Sequence, residues 1–285
     1  MNQIFKRKPT LKGAGVHLYR IFGYHEVPLF DPFLLLDHFG SDNPDDYLKG
    51  FPWHPHRGIE TVTYMLTGQV EHGDSIGNRG VISSGDVQWM TAGSGIIHQE
   101  MPIRYYGLMQ GFQLWVNLPA NQKMMKPRYR EITKQDIPII QEPGKEIKVI
   151  AGAYHDRRGP VSDLIVDVEY YDITLEKNSK FSYQAKDKYT TFVYLIEGSG
   201  VFTNTQGETH NCILFDTGYP LNITSKKDLR FLLISGQPLH EPVAWGGPIV
   251  MNTQEELQKA FLELDDGTFI QQTTPIYPSR EYYKH

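Results

Sequence analysis

Four residues in the first half of the chain have the types and spacing of metal ligands. His54 and His56 are separated by one residue, and so are His98 and Glu100. Because side chains alternate between the two faces of a strand, each pair would direct both of its side chains to the same side. Two such strands facing each other would offer three imidazoles and one carboxylate to a single ion. That donor set suits Fe, Mn, Ni, Co or Cu and leaves coordination positions for water, dioxygen or substrate.

The carboxylate ligand has a second candidate in Glu60. The segment from His54 to Glu60 resembles the first motif of the cupin superfamily, in which a His-x-His-x3-Glu strand and a later histidine strand converge inside a small β-barrel. In that pattern Glu60 would be a ligand. The second motif departs from the pattern, because Thr91 stands where proline is usual and four residues, not two, separate the glycine from the histidine. On the residues alone, Glu60 and Glu100 both stay candidates.

The elements that must position these residues are predicted to be short strands. Segments rich in Val, Ile, Thr, Tyr and Phe alternate with turn residues, among which are 26 glycines and 18 prolines. This pattern is typical of a β-sandwich or β-barrel. One helix is predicted near the end of the chain, where Thr253 and Glu256 form a capping-box pattern and Asp266-Gly267 can stop the helix.

The length of 285 residues favours two domains. Residues 64–68 (Tyr-Met-Leu-Thr-Gly) resemble residues 194–198 (Tyr-Leu-Ile-Glu-Gly), which indicates duplication of one β module. Residues 134–148 have the proline and glycine of a linker. We therefore predict an N-terminal metal-binding domain at 1–135 and a C-terminal domain at 136–285 that includes the helix.

The second half of the chain has no comparable ligand pattern. Its histidines, His155, His210 and His240, are isolated, with neither a His-x-His nor a His-x-Glu pair. We therefore expect the second domain to bind no metal and to cover and stabilise the first.

Composition and charge exclude several classes of protein. The formal net charge is −5, and the only basic cluster is at residues 6–8, so direct binding of nucleic acid is not expected. Cys212 is the single cysteine, so neither an internal disulfide nor a cysteine-based zinc site can form. The sequence has neither a secretory signal pattern nor an apolar run that would span a membrane. We expect a cytoplasmic protein, or also a nuclear one if the source is a eukaryote.

Several longer segments resemble the pirin family and occur in its order along almost the whole chain. They are residues 31–39 (DPFLLLDHF), 54–58 (HPHRG), 98–102 (HQEMP), 111–119 (GFQLWVNLP) and 241–253 (EPVAWGGPIVMNT).

The pirin resemblance implies an all-β bicupin fold, with two jelly-roll-like cupin barrels and a C-terminal helix. It also implies that the N-terminal barrel holds one iron(II) through three histidines and a glutamate; Mn, Ni, Co, Cu or Zn are further candidates. Carried over by motif, the ligands are His54, His56, His98 and Glu100. Glu60 is then expected to have a structural role beside the ligands.

An activity associated with pirin-family proteins is quercetinase, the cleavage of a flavonol by dioxygen with release of carbon monoxide. In that reaction Glu100 would accept the proton of the flavonol 3-hydroxyl as a general base. Arg57 and Gln113 are expected at the entrance of the pocket, and Phe51 and Trp53 are expected to stack on the aromatic substrate. For Arg57 the alternative is a pair with a carboxylate, and for the aromatic residues it is a place in the core.

Two other functions are open on the sequence. The pirin family includes transcriptional co-regulators, so the chain could be a metal- or redox-dependent regulator that acts through a protein partner. The same ligands would also serve another cupin reaction, such as an isomerase or a different dioxygenase.

Overall fold

The computed structural model describes residues 2–216 and 220–271. Strands dominate this part of the chain, as predicted, and its α-helices are the short α1 (Val27–Phe30) and α2 (Gln254–Asp265). None of its helices is long and apolar enough to cross a membrane.

The described residues form 26 strands. The first twelve are β1 (Gln3–Lys6), β2 (Lys8–Lys12), β3 (Val16–Phe22), β4 (Phe33–Ser41), β5 (Phe51–His56), β6 (Ile59–Thr67), β7 (Gln69–Asp74), β8 (Arg79–Ser83), β9 (Val87–Thr91), β10 (Ile96–Pro102), β11 (Met109–Asn117) and β12 (Arg128–Ile132). The others are β13 (Ile139–Glu142), β14 (Lys145–Ala151), β15 (Ala153–Tyr154), β16 (Arg157–Arg158), β17 (Val168–Leu175), β18 (Lys180–Tyr183), β19 (Thr190–Glu197), β20 (Ser199–Phe202), β21 (Thr205–Glu208), β22 (Asn211–Phe215), β23 (Leu221–Ser225), β24 (Leu229–Gly236), β25 (Ala244–Gly246) and β26 (Ile249–Met251).

These strands form two compact units. The unit called the N-terminal barrel comprises Pro9–His25, Phe33–Lys134 and residues 240–271. The unit called the C-terminal barrel comprises residues 2–8, Glu26–Pro32 and the described part of Gln135–Leu239.

Each barrel is built from a seven-stranded and a four-stranded antiparallel sheet. In the N-terminal barrel the orders are β12-β9-β6-β11-β4-β3-β2 and β5-β10-β7-β8. In the C-terminal barrel they are β1-β22-β19-β24-β17-β14-β13 and β18-β23-β20-β21. The two sheet orders correspond strand by strand, with one exception in chain order: β1, from the start of the chain, takes the edge place that β12 holds in the N-terminal barrel. This correspondence supports the duplication predicted from residues 64–68 and 194–198.

The C-terminal barrel has an apolar interior. Its buried cluster draws residues from both sheets, because alternate residues of each strand face inward. The members are Ile147, Val149, Tyr171, Ile173, Leu175, Phe181, Tyr183, Val193, Leu195, Phe202, Ile213, Leu221, Ile223, Leu229, Phe231 and Leu233.

The predicted domain ranges and the two units differ in three places. A change of unit does follow Lys134, one residue before the predicted boundary, but residues 2–8 and Glu26–Pro32 belong to the C-terminal barrel and residues 240–271 to the N-terminal one. The helix α2 consequently lies with the N-terminal barrel. Sequence order alone does not reveal such exchanges, since they depend on long-range strand pairing such as that of β1 with β22. The predicted ranges stay a prediction.

The helix itself begins and ends where the sequence predicts. The Thr253 side chain accepts a hydrogen bond from the Glu256 backbone N–H, and the Glu256 carboxylate accepts one from the Thr253 N–H. These two bonds satisfy backbone donors that a helix start leaves without partners. Asp266 forms the C-cap, and Gly267 follows with a φ of +73°.

The C-terminal segment 240–271 is fastened to the N-terminal barrel by buried polar contacts. The Arg57 guanidinium forms an ion pair with Glu263 at 2.7 Å and donates hydrogen bonds to the carbonyls of Ser94 and Phe269. The guanidinium also lies 4.1 Å from the centroid of the Phe269 ring, in cation–π geometry.

Lys123 ties the same segment to the barrel. Its buried ammonium donates to the carbonyls of Gly58 and Val250 and to the side chain of Asn117, at 2.7–3.1 Å. Three acceptors match the three donors of an ammonium group. Burial nevertheless lowers the pKa of Lys123, to about 7.

Candidate metal centre

Two paired strands bring three histidines together in the N-terminal barrel. His54 and His56 lie two residues apart on β5, and His98 on β10 is directly opposite His54. The alternation of side chains along a strand therefore places all three imidazoles on the inner side. One nitrogen from each ring lies within 4.8 Å of the others. Among the described residues these three are the group that has metal-binding spacing.

The backbone orients two of the imidazoles. His54 Nδ1 lies 2.8 Å from the Pro52 carbonyl, and His56 Nδ1 lies 3.1 Å from the Pro248 carbonyl. A carbonyl can only accept, so each Nδ1 carries the proton and each Nε2 presents a lone pair. This is the arrangement by which proteins fix the tautomer and orientation of a metal-binding histidine.

The spacing of these imidazole lone pairs suits a bound cation. Nε2 of His54 and Nε2 of His56 are 3.1 Å apart, and two acceptors at that distance repel each other unless something positive lies between them. A shared proton is disfavoured, because burial lowers the pKa of both histidines. Two nitrogens bound at right angles to one ion, each at about 2.1 Å, would lie about 3.0 Å apart. Nε2 of His98 is also buried and has no hydrogen-bond partner. The three histidines therefore fit a transition-metal ion.

Glu100 lies on the same face of β10 but outside the group of closely spaced ligand atoms. The strand register slips between His98 and Glu100, where Glu100 comes opposite Phe51 on β5. Burial raises the pKa of Glu100 to about 7, although a hydrogen bond from Thr63 partly opposes this rise. A buried carboxyl that titrates near neutral pH is suited to accept or release a proton.

Thr63 connects Glu100 to Gln113. The Thr63 hydroxyl oxygen lies 3.0 Å from Glu100 Oε1 and 2.6 Å from Gln113 Oε1. A hydroxyl has one proton and can donate to only one of these oxygens. Both contacts are satisfied if the Gln113 amide is turned to donate its NH₂, or if a protonated Glu100 donates to Thr63.

Glu60, the other candidate for the carboxylate ligand, points away from the histidines. On β6 it is three residues from Thr63, so it lies on the opposite face of the strand. Its Oε1 accepts a hydrogen bond from Thr91 at 2.5 Å and lies within 4.0 Å of the guanidinium groups of Arg128 and Arg130. Burial raises its pKa, and the threonine bond and the two arginines oppose that rise. The residue-based alternative that made Glu60 a ligand is therefore wrong, and the structural role expected from the resemblance fits.

The histidines open onto a large cavity in the N-terminal barrel. Its volume is about 1050 Å³, which is at the upper end for small-molecule sites. Among its lining residues are His54, His56, Glu100, Thr63 and Gln113. Aromatic side chains make up much of the remaining wall, namely Tyr24, Phe39, Phe51, Trp53, Trp115 and Trp245. The cavity therefore combines the candidate metal site with walls that are largely aromatic and apolar and that also include the charged side chains of Lys12, Arg20 and Asp37.

Comparison with known proteins agrees with this geometry. Residues 15–116 match the model of the pirin family, and residues 170–270 match that of the pirin C-terminal cupin domain. The chain belongs to the pirin family. The predicted fold of two cupin barrels with a C-terminal helix is thereby confirmed.

Two relatives and one solved structure show how far the similarity extends. A pirin-like protein of Caulobacter vibrioides is 43% identical over 269 residues, which cover 94% of this chain and 98% of that protein. A Pseudomonas aeruginosa protein named "Putative quercetin 2,3-dioxygenase" is 43% identical over 270 residues, 91% of this chain and 94% of that one. The crystal structure of a quercetin 2,3-dioxygenase from Acinetobacter baumannii superimposes with a TM-score of 0.87 at 36% identity, covering 94% of this chain and 96% of that one.

The residues predicted to contact a substrate divide into two groups in this pirin-family chain. Phe51, Trp53 and Gln113 line the cavity, and Phe51 and Trp53 also pack against buried apolar clusters, so their contact with a substrate stays a prediction. Arg57 does not, and its expected place at the entrance needs correction. Its side chain is 2% exposed and is engaged by Glu263 and the C-terminal segment. The structure instead has the alternative predicted for Arg57, since the Arg57 guanidinium pairs with the carboxylate of Glu263.

Two tryptophans of the cavity were missed by the sequence analysis. Trp115 packs edge-to-face on His56, with ring centroids 5.1 Å apart, and lies 5.8 Å from Trp245. The strand period could have found Trp115, since it lies two residues from Gln113 on β11 and so faces the same way. Trp245 gave no such signal, because it reaches the cavity from β25, far along the chain.

Proposed function

We propose that the protein is a metal-dependent flavonol dioxygenase of the quercetin 2,3-dioxygenase type. The observation that carries the proposal is the pair of Nε2 lone pairs of His54 and His56, 3.1 Å apart at the wall of an aromatic-lined cavity. The relatives named for quercetin 2,3-dioxygenase support the same activity. The net reaction consumes dioxygen, opens the heterocycle of the flavonol and releases carbon monoxide.

The three histidines would hold the metal, with Glu100 as the proposed fourth ligand. Three imidazoles and a carboxylate suit iron(II), and Mn, Ni, Co, Cu and Zn share this ligand preference. The bound ion would supply Lewis acidity, which lowers the pKa of the flavonol 3-hydroxyl beside the 4-carbonyl. The carbonyls of Pro52 and Pro248 hold two of the imidazoles in the tautomer whose Nε2 can bind a metal ion.

Glu100 is the proposed general base. Burial raises the pKa of Glu100 to about 7 in the metal-free protein, and a bound metal ion would favour the ionised form that accepts the hydroxyl proton. Thr63 contacts its Oε1 and fixes the orientation of the carboxyl group. Glu100 would thus act at the face of the cavity from which the flavonol meets the histidines.

The cavity walls would hold the planar rings of the substrate. Phe51 and Trp53 lie on the β5 side, next to the histidines, and Trp115 and Trp245 contribute further flat surfaces. Aromatic side chains stack on aromatic ligands and exclude water. Such walls favour a rigid aromatic substrate over a flexible or strongly hydrated one.

The test is metal analysis of natively purified protein, followed by oxygen uptake and carbon monoxide release with quercetin. We expect about one metal ion per chain, and one carbon monoxide released for each dioxygen consumed. Metal-loaded protein that consumes no dioxygen with any flavonol would contradict the proposal. In that case the co-regulator predicted from the family resemblance would become the leading hypothesis, and a partner interaction that follows the oxidation state of the metal would support it.

A further inference from the structure

A row of polar side chains crosses the inner face of the seven-stranded sheet in the N-terminal barrel. Arg20 on β3 is opposite Asp37 on β4, Asp37 is opposite Gln113 on β11, and Gln113 is opposite Thr63 on β6. All four side chains line the cavity, and Thr63 contacts Glu100 at the end of the row. We call these four residues the polar row.

The C-terminal barrel shows which residues the fold accepts at the same places. Val193 precedes Tyr194 in the repeat as Thr63 precedes Tyr64, and both face inward. The sheet register then carries the correspondence across the neighbouring strands, because Leu233 is opposite Val193, Tyr171 is opposite Leu233 and Val149 is opposite Tyr171. The counterparts of Thr63, Gln113, Asp37 and Arg20 are therefore Val193, Leu233, Tyr171 and Val149, all of them in the apolar core.

The apolar residues at these places in the C-terminal barrel show that the fold does not require the polar row of the N-terminal barrel. An apolar row fills the C-terminal barrel, so this sheet does not need polar side chains there. Burial of polar groups costs free energy unless they find partners, and burial raises the pKa of Asp37 even though Arg20 binds it. Hydrogen bonds to a ligand in the cavity would explain why these polar side chains are present, since the fold does not require them.

Asp37 retains capacity to bind such a ligand. Arg20 donates two hydrogen bonds to it, from Nε at 2.8 Å and from a terminal nitrogen at 2.7 Å. A carboxylate can accept about four hydrogen bonds, so the bidentate pair leaves room for donors from the cavity. Arg20 in turn orients the carboxylate and opposes the rise in its pKa that burial causes, and Gln113 offers a neighbouring amide.

We propose that Asp37 and Gln113, with Arg20 as their support, form a specificity subsite for hydroxyl groups of the substrate remote from the metal. The proposal rests on the proposed flavonol activity and deepens it, because it commits to polyhydroxylated flavonols over flavonols that bear only the 3-hydroxyl. Strands are spaced about 4.8 Å apart, so the polar row spans about 14 Å from Thr63 to Arg20. That span extends well beyond the metal-proximal end and along the length of a planar three-ring molecule.

The test compares quercetin with 3-hydroxyflavone, which keeps the metal-proximal hydroxyl and carbonyl and lacks all the other hydroxyl groups. In metal-loaded Asp37→Asn, we expect kcat/KM for quercetin to fall about 10-fold, and in Gln113→Leu about 3–10-fold. For 3-hydroxyflavone, kcat/KM of Asp37→Asn should stay within about threefold of the parent. Gln113→Leu also removes a contact of Thr63, which contacts Glu100, so this variant is expected to lower kcat/KM for both flavonols and to lower it more for quercetin. The Leu of the second variant is the residue that the C-terminal barrel has at the corresponding position.

A matched control is Asp172→Asn. Asp172 is buried and is bound by Arg230 through the same two-point contact, at 3.0 and 2.6 Å, but it belongs to the C-terminal barrel and does not line the cavity. Its variant should keep the preference of the parent for quercetin. Equal losses on both flavonols in Asp37→Asn, or a similar loss of preference in Asp172→Asn, would overturn the subsite.

The subsite and the proposed activity fail in different ways. If the metal-loaded parent oxidises both flavonols equally well, the subsite is wrong and the activity stands. If the parent oxidises neither, calorimetric titration decides: tighter binding of quercetin than of 3-hydroxyflavone that Asp37→Asn abolishes supports the subsite, while the dioxygenase activity is wrong. Equal or absent binding of the two compounds overturns the subsite.

Discussion

The seven-stranded sheets of the two barrels have the same strand order, but their inward-facing residues differ in kind. In the C-terminal barrel those residues form one continuous apolar core. In the N-terminal barrel the corresponding space is a cavity of about 1050 Å³, with histidines at one end and the polar row across the sheet. The strands of the C-terminal barrel that correspond to β5 and β10 direct Phe181, Tyr183, Leu221 and Ile223 inward, where the N-terminal barrel has its three histidines and Glu100.

This difference shows that the strand order does not by itself determine what a cupin barrel does. A filled interior gains stability from burial of apolar area, and a hollow one loses that gain. The N-terminal barrel has support elsewhere, since segment 240–271 is held by the Arg57–Glu263 ion pair and by Lys123. Stability in the C-terminal barrel thus comes from its filled core, whereas the N-terminal barrel combines a smaller buried apolar cluster with the buried polar contacts to segment 240–271.

The largest expected effect is loss of the metal. His56→Ala and His98→Ala each remove one of three closely spaced imidazoles, so metal content should fall to near zero in elemental analysis, with turnover of flavonol lost as well. The control is His155→Asn in the C-terminal barrel. His155 has a φ of +51°, a left-handed conformation that asparagine tolerates, and the variant should keep the metal. Full metal content in both alanine variants would show that the site is elsewhere.

The next effect in size concerns Glu100. Glu100→Gln keeps the shape of the side chain and removes the proton acceptor, so kcat on quercetin should fall about 10²–10⁴-fold in protein that still contains its metal. Three histidines are enough to hold a divalent ion. Metal content and kcat are measured on the same sample. A loaded glutamine variant within a few-fold of the parent would mean that the flavonol proton leaves to water and that Glu100 is not the base.

The grouping of the three histidines follows from local sequence patterns. The His-x-His pair and the later His-x-Glu pair are local patterns, and the alternation of side chains along a strand is enough to place each pair on one face. The capping box of α2 is equally local, and its two hydrogen bonds occur as predicted. The choice between Glu60 and Glu100 was not local. It came from the family resemblance, and the structure shows why Glu60 fails, since it lies on the outer face of β6.

Contacts between distant segments were beyond the sequence analysis. Arg57 was expected at the cavity, but its partners Glu263 and Phe269 lie more than 200 residues further along the chain. The Arg20–Asp37–Gln113 alignment depends on the register of three strands, and a shift of one residue in any of them would point a side chain to the other face. Register is set by the whole sheet, which short motifs do not specify.

A smaller effect is the pH dependence of stability that the buried histidines of the N-terminal barrel should cause in metal-free protein. Burial lowers the pKa of His56 and His98 well below the ordinary value. Below about pH 6.5 the unfolded chain takes up protons that these buried imidazoles do not, so the metal-free protein should lose stability as the pH falls. The loss should be about 1.4 kcal/mol for each of the two histidines per pH unit, until the lowered pKa values are reached. Urea unfolding of metal-free protein at pH 7.5, 6.5 and 5.5 measures it.

The control for this pH dependence is the metal-free double variant His56→Ala, His98→Ala. Its unfolding free energy should fall less steeply between pH 6.5 and 5.5, because the two groups that differ between the folded and unfolded states are gone. Equal slopes in parent and variant would mean that both imidazoles ionise normally in the folded protein, and the argument for a cation between the lone pairs would lose its support.

The smallest expected effect comes from exchanging one residue of the polar row with its counterpart. Val193→Thr places a hydroxyl in the apolar core of the C-terminal barrel, where the cluster around Val193 is apolar, and should lower the free energy of unfolding by about 2 kcal/mol. Thr63→Val removes the hydroxyl that contacts Glu100 and Gln113. It should change the free energy of unfolding by less than about 1 kcal/mol, because valine has nearly the same size and Glu100 and Gln113 line the cavity, where water can replace the lost hydroxyl. It should nevertheless lower kcat/KM on quercetin about 3–10-fold.

Thr63→Val and Val193→Thr serve as controls for each other, because they make opposite changes of the same size at corresponding positions of the two sheets. Both exchange the same two side chains, at corresponding places on β6 and β19, and urea unfolding followed by flavonol kinetics measures both effects. If Thr63→Val destabilised the protein as much as Val193→Thr, the Thr63 hydroxyl would be part of what holds the N-terminal barrel together. The polar row would then be a structural feature of that barrel, and its difference from the C-terminal barrel would say nothing about the substrate. A loss of activity without a loss of stability assigns the hydroxyl to the site.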